Sequence, residues 1–388
     1  MPPERKAAPT RRVCFVTGTR AEFGLMRSTL TAIADHPSLT LQLIVTGMHL
    51  DRSRGRSLDA IVADGWRVDA VAPWAKGDGS QAASAIATGK AVANIAGAIS
   101  RLKSDVVLVA GDRVEAFAAA SAGHLSGKLV AHVHGGDRAL GLIDDSLRHA
   151  ITKLAHVHFP ATQASASRIA GLGEDRWRIF RTGSPGLDEL KNQAAPPAEV
   201  TAMFDGIERR RFALLLLHPQ TSDPRRERRF AERLLDRVRA GKFEGVVIVY
   251  PNNDPGSDGI ARAWDAIGRD PRIVLRRNLR RPIFLGLMRD AAVLVGNSSS
   301  GIIEAASFGT PVVDVGTRQF GRERNENVTH AAMNDRAIDR ALRHIWREGK
   351  PIRYVGENIY GGGGAGTKIA AILSRIRVQR FSNKLIAY

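Results

Sequence analysis

The residues most ready for chemistry are Gly296-Asn297-Ser298-Ser299-Ser300-Gly301. An apolar run, Ala291 to Val295, stops there, and an Ala-rich helical pattern follows at once. A strand that ends in such a loop and feeds a helix N-terminus leaves backbone N–H groups unpaired, with hydroxyls beside them. Phosphate oxygens require that arrangement. Ser299, Ser300 and Gly301 are therefore candidate phosphate contacts. Glu304, one helical turn on, is placed to accept hydrogen bonds from sugar hydroxyls. An ordinary helix N-cap is the competing account, since serine is a common cap. Three serines between two glycines exceed what a cap needs, and the phosphate reading is preferred.

A second set of residues could handle protons. Asp112 follows the buried run Val106 to Ala110, where it reads equally well as an acid or base and as a helix N-cap. Asp137 follows Gly135-Gly136, and Asp144 and Asp145 precede Ser146-Leu147-Arg148-His149. Carboxylates near one another cannot all ionise cheaply, so one pKa rises and the group acquires both an acid and a base. A cap-and-turn account of Asp144-Asp145-Ser146 stands beside that reading. His218 ends a strand before Pro219 and could donate to a phosphate or an anionic leaving group. Arg20 closes the loop Thr17-Gly18-Thr19-Arg20, which is neither a P-loop nor a dinucleotide fingerprint. Arg318 and Arg322 flank Gln319-Phe320-Gly321 and could fork onto phosphate oxygens, or pair with Glu323. The strand-end stretch Pro251-Asn252-Asn253-Asp254 makes Asn253 a further binding candidate. His149, His156 and His158 lack a third ligand at a metal-binding spacing, so no metal is expected. His132 and His134 alternate in the same way and are read with the same caution. The serine loop lacks the spacing of a serine-hydrolase elbow.

The elements that must position these groups read as two α/β units in tandem. Strands are expected at Arg12 onward, Leu39–Thr46, Val106–Ala110 and Leu129–His134. They recur at Phe212–Leu217, Val246–Tyr250, Ala291–Val295 and Val312–Val315. Helices are expected at Phe23–Ala34 and Gln81–Leu102 and from Val114. Strands alternating with helices predict parallel sheet. The boundaries expected are a disordered segment at 1–11, a first Rossmann-like domain at 12–191, and a second at 200–365. A terminal helix and tail at 366–388 would follow the glycine run Gly361–Gly364 and pack on the first domain. Asn192 to Glu199 is the expected linker. Polar residues gather at the C-terminal ends of strands in both halves, where open α/β sheets bind ligands. An interdomain cleft is the expected site.

Bulk composition narrows the class. A chain of 388 residues with 44% hydrophobic content predicts a globular protein of two domains. One cysteine, Cys14, excludes a disulfide framework. No apolar run reads as a membrane span, so a soluble, cytoplasmic protein is expected. The net charge of +18 raises nucleic acid as a partner, but aromatic residues are only 6% and do not interleave with the arginines. A helix such as Arg225 to Arg233 mixes both charge signs and reads as a solvated face. A polyanion-binding module is the least favoured reading, and an anionic small substrate suits the charge better.

Taken together, these stretches resemble the hydrolysing UDP-N-acetylglucosamine 2-epimerases, in particular the bacterial sialic- and nonulosonic-acid branch. The carriers are Val16-Thr-Gly-Thr-Arg-Ala-Glu-Phe-Gly24, Val45-Thr-Gly-Met-His-Leu50, Gly111-Asp-Arg113, His134-Gly-Gly136 and Ile143 to Lys153. Thr182-Gly-Ser-Pro185, Gly296 to Gly301 and Gly316 to Glu323 continue the series. The resemblance implies two facing Rossmann-like domains of the kind found in nucleotide-sugar glycosyltransferases (GT-B-like). It implies a UDP-sugar substrate, no cofactor, no metal and a homo-oligomer. By position, Asp112, Asp137 and Asp144 fall on the acidic catalytic positions, with His218 close to the diphosphate. Arg20, Arg113, Asn253, Ser299, Ser300, Gly301, Arg318 and Arg322 would bind substrate, and Glu304 the ribose. The implied reaction passes through a 2-acetamidoglucal. One departure is that Asp137 stands where this branch carries Glu. A glycosyltransferase of the same architecture is the alternative.

Overall fold

The computed structural model describes residues 10–51, 57–74, 80–138, 143–202, 208–251, 254–277, 279–385 and 387. Asn253 lies outside the described residues. The chain divides into two compact units: Met1–Asp188 with Gly363–Tyr388, and Glu189–Gly362.

The first unit holds a six-stranded sheet among the described residues. Its strands are β1 (Arg11–Thr17), β2 (Leu39–Val45), β3 (Ala70–Val71), β4 (Val106–Ala110), β5 (Leu129–Val133) and β6 (Val157–Phe159). All pair in parallel, in the order β3-β2-β1-β4-β5-β6. β4 and β5 are buried at every position, the mark of strands covered on both faces. The helix Arg20–Ala34 starts at an N-cap, Thr19, whose side chain accepts from the Glu22 N–H. It contributes Phe23, Met26, Leu30 and Ile33 to one face of the core, while the helices Gln81–Leu102 and Val114–Leu125 cover the other.

The second unit repeats the plan. Its strands are β7 (Phe212–Leu216), β8 (Gly245–Val249), β9 (Ile273–Arg276), β10 (Val293–Gly296), β11 (Val312–Val315) and β12 (Val328–Ala331). They run parallel in the order β12-β11-β10-β7-β8-β9. Each sheet thus shows the doubly wound order, in which the chain direction across the sheet reverses between the first and fourth strands. Ligands of such sheets bind at the C-terminal strand ends beside that reversal. Here the reversals lie between β1 and β4 and between β7 and β10.

Some sequence expectations need correction. The boundary falls at Asp188/Glu189, and the expected linker is structured. Residues 190–193 and 197–202 are short helices, and Ala195 and Val200 are buried in the second unit's core. Two apolar side chains in a Pro- and Ala-rich stretch suffice to dock it. The chain returns to the first unit at Gly363. There the helix Ala365–Arg375 packs on Arg20–Ala34, its first two N–H groups held by the Asp188 carboxylate at 2.8 and 2.7 Å. Gly361, Gly363 and Gly364 take φ of 113°, 102° and 74°, so the glycine run supplies a backbone path closed to other residues. One helix, Ala82–Leu102, is long and apolar enough by composition to cross a membrane, which the sequence reading did not recognise. Its hydropathy comes from alanines and aliphatic residues together, and Ala87, Ala91, Ile95, Ala98 and Ile99 repeat at helical spacing into the core. β3, β9 and β12 were not foreseen, because they are short and mixed in polarity.

Candidate active site

At the reversal of the first sheet, the chain leaves β1 through Gly18 and Thr19 and leaves β4 through Gly111 and Asp112. Asp112 is not the cap of the helix that follows. That position belongs to Arg113, which makes no side-chain cap bond. Asp112 instead forms an ion pair with Arg148, whose side chain is only 4% exposed. Arg113 turns back to Glu115, with Nε 3.3 Å from Oε2. Asp144 sits in the first turn of the helix Ile143–Leu154. Burial pushes its carboxyl above the usual carboxylate range, with Arg113 pulling the other way and Glu115 adding to the rise. Asp112, Arg113 and Asp144 thus belong to one charged cluster with Glu115 and Arg148. Arg20 opens the neighbouring helix and is exposed.

Glu22 joins this cluster and was missed in the sequence. Its Oε2 accepts from the Gly18 N–H at 3.0 Å, and its Oε1 meets no partner among the described residues. Burial raises its carboxyl to about 8, Gly18 opposes the rise and Glu115 adds to it. Glu22 is therefore protonated at neutral pH. The folded pKa lies above the unfolded one, so the folded state binds the extra proton between about 4.5 and about 8. Stability falls as pH rises through that window and levels off above it. Glu22→Gln removes the titration. Its melting temperature relative to the parent should climb between pH 5 and 8.5, read by calorimetry, and a constant difference would show that Glu22 does not titrate there.

Asp137, 8% exposed, is held by polar groups of the protein. Its Oδ2 is 2.9 Å from His134 Nδ1, and its Oδ1 accepts from Ser165 Oγ at 2.8 Å. The turn before it needs glycine. At Gly136, φ is +76° and a Cβ would stand 2.3 Å from the Ser165 carbonyl oxygen. His132 and His134 do not share a strand face as their alternation suggested. His132 is fully buried and bonded to the Gly111 carbonyl at 2.8 Å, and burial pushes its imidazole down to about 3. His134 leaves the strand at φ +63° and turns to Asp137. His156 and His158 are buried, and His158 bonds Glu174 at 3.1 Å.

The second sheet's reversal brings three strand ends together through Asn297, which is 1% exposed. Its Oδ1 accepts from the His218 N–H, and its Nδ2 donates to the His218 carbonyl, both at 2.8 Å. Its own carbonyl accepts from Gln319 Nε2 at 2.9 Å and Arg318 Nη1 at 3.2 Å. Gln220 Oε1 accepts from the Thr317 N–H at 2.7 Å. The loops after β7, β10 and β11 are thereby locked to one another. Burial first, and then Arg318, push the His218 imidazole down to about 4, against the pull of Asp254. His218 is neutral at pH 7 and offers hydrogen bonds without a charge. Ser298 and Ser300 hydroxyls are 2.8 Å apart at the start of the single turn Ser299–Ile303. The Ala-rich helix expected after the serines is broken at Glu304 and resumes as a 3-10 turn, Ala305–Phe308. The Glu304 carboxylate is already met by Arg281, at 2.5 and 3.3 Å. Arg322 stands half-buried, its N–H on the Gln319 carbonyl at 3.3 Å.

Sequence reasoning passed over Glu22, Arg148, His134 and Asn297 as functional groups. A charged or amide residue beside a strand-end glycine was the signal available for Glu22, His134 and Asn297. Arg148 had none, since its partner is 36 positions away.

Comparison with known proteins extends the picture from the site to the whole chain. A UDP-N,N'-diacetylbacillosamine 2-epimerase (hydrolyzing) of Legionella pneumophila is 35% identical over 97% of this chain and 100% of its own length. A UDP-N-acetylglucosamine 2-epimerase of Neisseria meningitidis is 33% identical over 88% of this chain and 89% of its own. Among solved structures, the UDP-GlcNAc 2-epimerase of Neisseria meningitidis bound to UDP-GlcNAc superposes with a TM-score of 0.77. It is 20% identical, over 94% of this chain and 100% of that one, and supports the fold alone. The family described as UDP-N-acetylglucosamine 2-epimerase matches residues 31–374, most of both units, and this chain belongs to it.

Proposed function

We propose that the protein is a hydrolysing nucleotide-sugar 2-epimerase. It converts UDP-N-acetylglucosamine, or a 4,6-modified relative such as the N,N'-diacetylbacillosamine derivative, to UDP and the free 2-epimer. The observation that carries this reading is the match to a hydrolysing 2-epimerase along that relative's whole length.

In the reaction, the C1–O bond breaks with its electron pair passing to the diphosphate, and the C2 proton passes to a carboxylate. The product is a 2-acetamidoglucal. Water then supplies hydroxide to C1, and a proton returns to C2 on the opposite face. A C2–H is weakly acidic, so C1–O cleavage runs ahead and places positive charge on the ring. Asp112, paired with Arg148, and Asp144, whose pKa is raised, are the carboxylates that move the proton and stabilise the ring charge. Asp137 is the remaining carboxylate of the set. The serine loop, Arg20, Arg318 and Arg322 hold the diphosphate, and neutral His218 donates to it as it departs. Arg113 and Asn253 complete the contacts, and Glu304, anchored by Arg281, accepts from the ribose. The chain acts as a cytoplasmic homo-oligomer, and its free amino sugar is of the kind consumed in nonulosonic acid synthesis. No cofactor enters the scheme.

A panel of UDP- and GDP-sugars, incubated in heavy water and read by NMR, tests the proposal. Free UDP and a free 2-epimer with deuterium at C2 are expected. Full retention of the original C2 hydrogen would remove the elimination route. Sugar transfer to an added acceptor would favour the glycosyltransferase alternative.

A further inference from the structure

His134 stands between two buried polar groups. Its Nδ1 is 2.9 Å from Asp137 Oδ2, and its Nε2 is 3.0 Å from Ser184 Oγ. The His134, Asp137 and Ser184 residues are 6%, 8% and 1% exposed. We propose that His134 is a positioning residue for Asp137: its Nδ1–H donates to one carboxylate oxygen, and Ser184, on Nε2, steadies the ring in that orientation. The inference rests on the reading of Asp137 as part of the active site.

The hydrogen-bond inventory leads to that assignment. An ionised carboxylate accepts and cannot donate, so the ring nitrogen facing Asp137 carries the proton. Nε2 then faces Ser184, whose hydroxyl can donate or accept and so meets the ring in either state. Asp137 fixes the Nδ1 proton, and Ser184 holds the far side of the ring. Ser165 donates to the other carboxylate oxygen, and its own place is set by Thr162, the N-cap of the helix Gln163–Gly171. Both oxygens of Asp137 are thus held from protein groups on separate elements. Among the described residues, His132 and Arg168 also face this pocket. His132 interacts electrostatically with both His134 and Asp137, and Arg168 donates to the Gly136 carbonyl and to Ser165 Oγ.

The backbone supports a role beyond filling space. His134 adopts φ +63°, a conformation disfavoured for a residue with a Cβ. A core-filling residue gains nothing from that conformation. Here it rotates the ring out of the strand direction and onto Asp137, three residues ahead.

The same conformation supplies the test. Asparagine tolerates the left-handed region better than most residues, and its amide nitrogen occupies nearly the place of His Nδ1. His134→Ala should lower kcat by on the order of a hundredfold, the loss expected when a reacting group shifts by about 1 Å, with KM changed less than threefold. His134→Asn should recover most of that loss, because it restores the donor. Ring nitrogen NMR on the parent protein should show Nδ1 protonated, and Asp137→Ala should release that preference. A His134→Ala variant as active as the parent, or a ring unprotonated at Nδ1, would overturn the proposal. Melting temperatures for each variant separate a folding defect from a positioning defect. Asp137→Asn closes the set. If it stays active, Asp137 is not in the active site and the functional assignment fails there. If it is inactive while His134→Ala is normal, only the positioning role fails.

Discussion

Asp112→Asn should lower kcat by about a thousandfold, in the range lost when a general acid or base is removed, while the protein stays folded. Asp112 does not cap the helix Val114–Leu125, so no helix start is lost. It does pair with Arg148, which is nearly fully buried, and the variant removes that ion pair. Asparagine still offers one acceptor oxygen, so the cost in stability should be about 1–3 kcal/mol. That cost could be mistaken for a catalytic effect at elevated temperature. The double variant Asp112→Asn with Arg148→Gln separates the two, since it removes both members of the ion pair. It should recover melting temperature and gain no turnover. If Asp112→Asn keeps turnover within tenfold of the parent, the pair serves structure and the proton chemistry lies elsewhere.

Gly296→Ala should have the largest effect on stability. Gly296 ends β10 at φ +139°, where a side chain is strained whatever the space. There is no space either, because a Cβ would stand 1.9 Å from the Leu216 carbonyl oxygen of β7. Backbone cannot yield as a flexible side chain can. Left-handed strain and overpacking each cost about 1–3 kcal/mol, and together about 4 kcal/mol is expected. For a unit of this size that corresponds to a fall of about 10 °C in the second unit's transition. The displaced strand end carries Asn297, so His218 and Arg318 lose their anchor at the same time. UDP affinity measured by calorimetry well below the transition should fall with stability. A variant that melts normally and binds UDP normally would show that this strand end tolerates far more rearrangement than its packing suggests.

The helix Gln81–Leu102 and the strands Val106–Ala110 and Val312–Val315 were legible in the sequence residue for residue. Fully buried parallel strands must be continuous apolar runs, and helical spacing is a local property. Gly-rich and Ser-rich stops after such runs placed Asp112, His218 and the serine loop at strand ends, because a strand with no polar break cannot stop there. Which strand ends meet was not legible. Strand order is decided by crossovers dozens of residues long, and it alone sets β7 beside β10 and so brings His218 to Asn297. The state of the carboxylates was equally hidden. Glu22, Asp112 and Asp144 have the same chemistry in the unfolded chain and diverge only when packed. Burial protonates Glu22, while Arg148, from a helix distant in sequence, pairs with Asp112. Spacing in the sequence determined which groups could take part. Desolvation and charge partners, which exist only in the folded protein, decided which of them hold a proton.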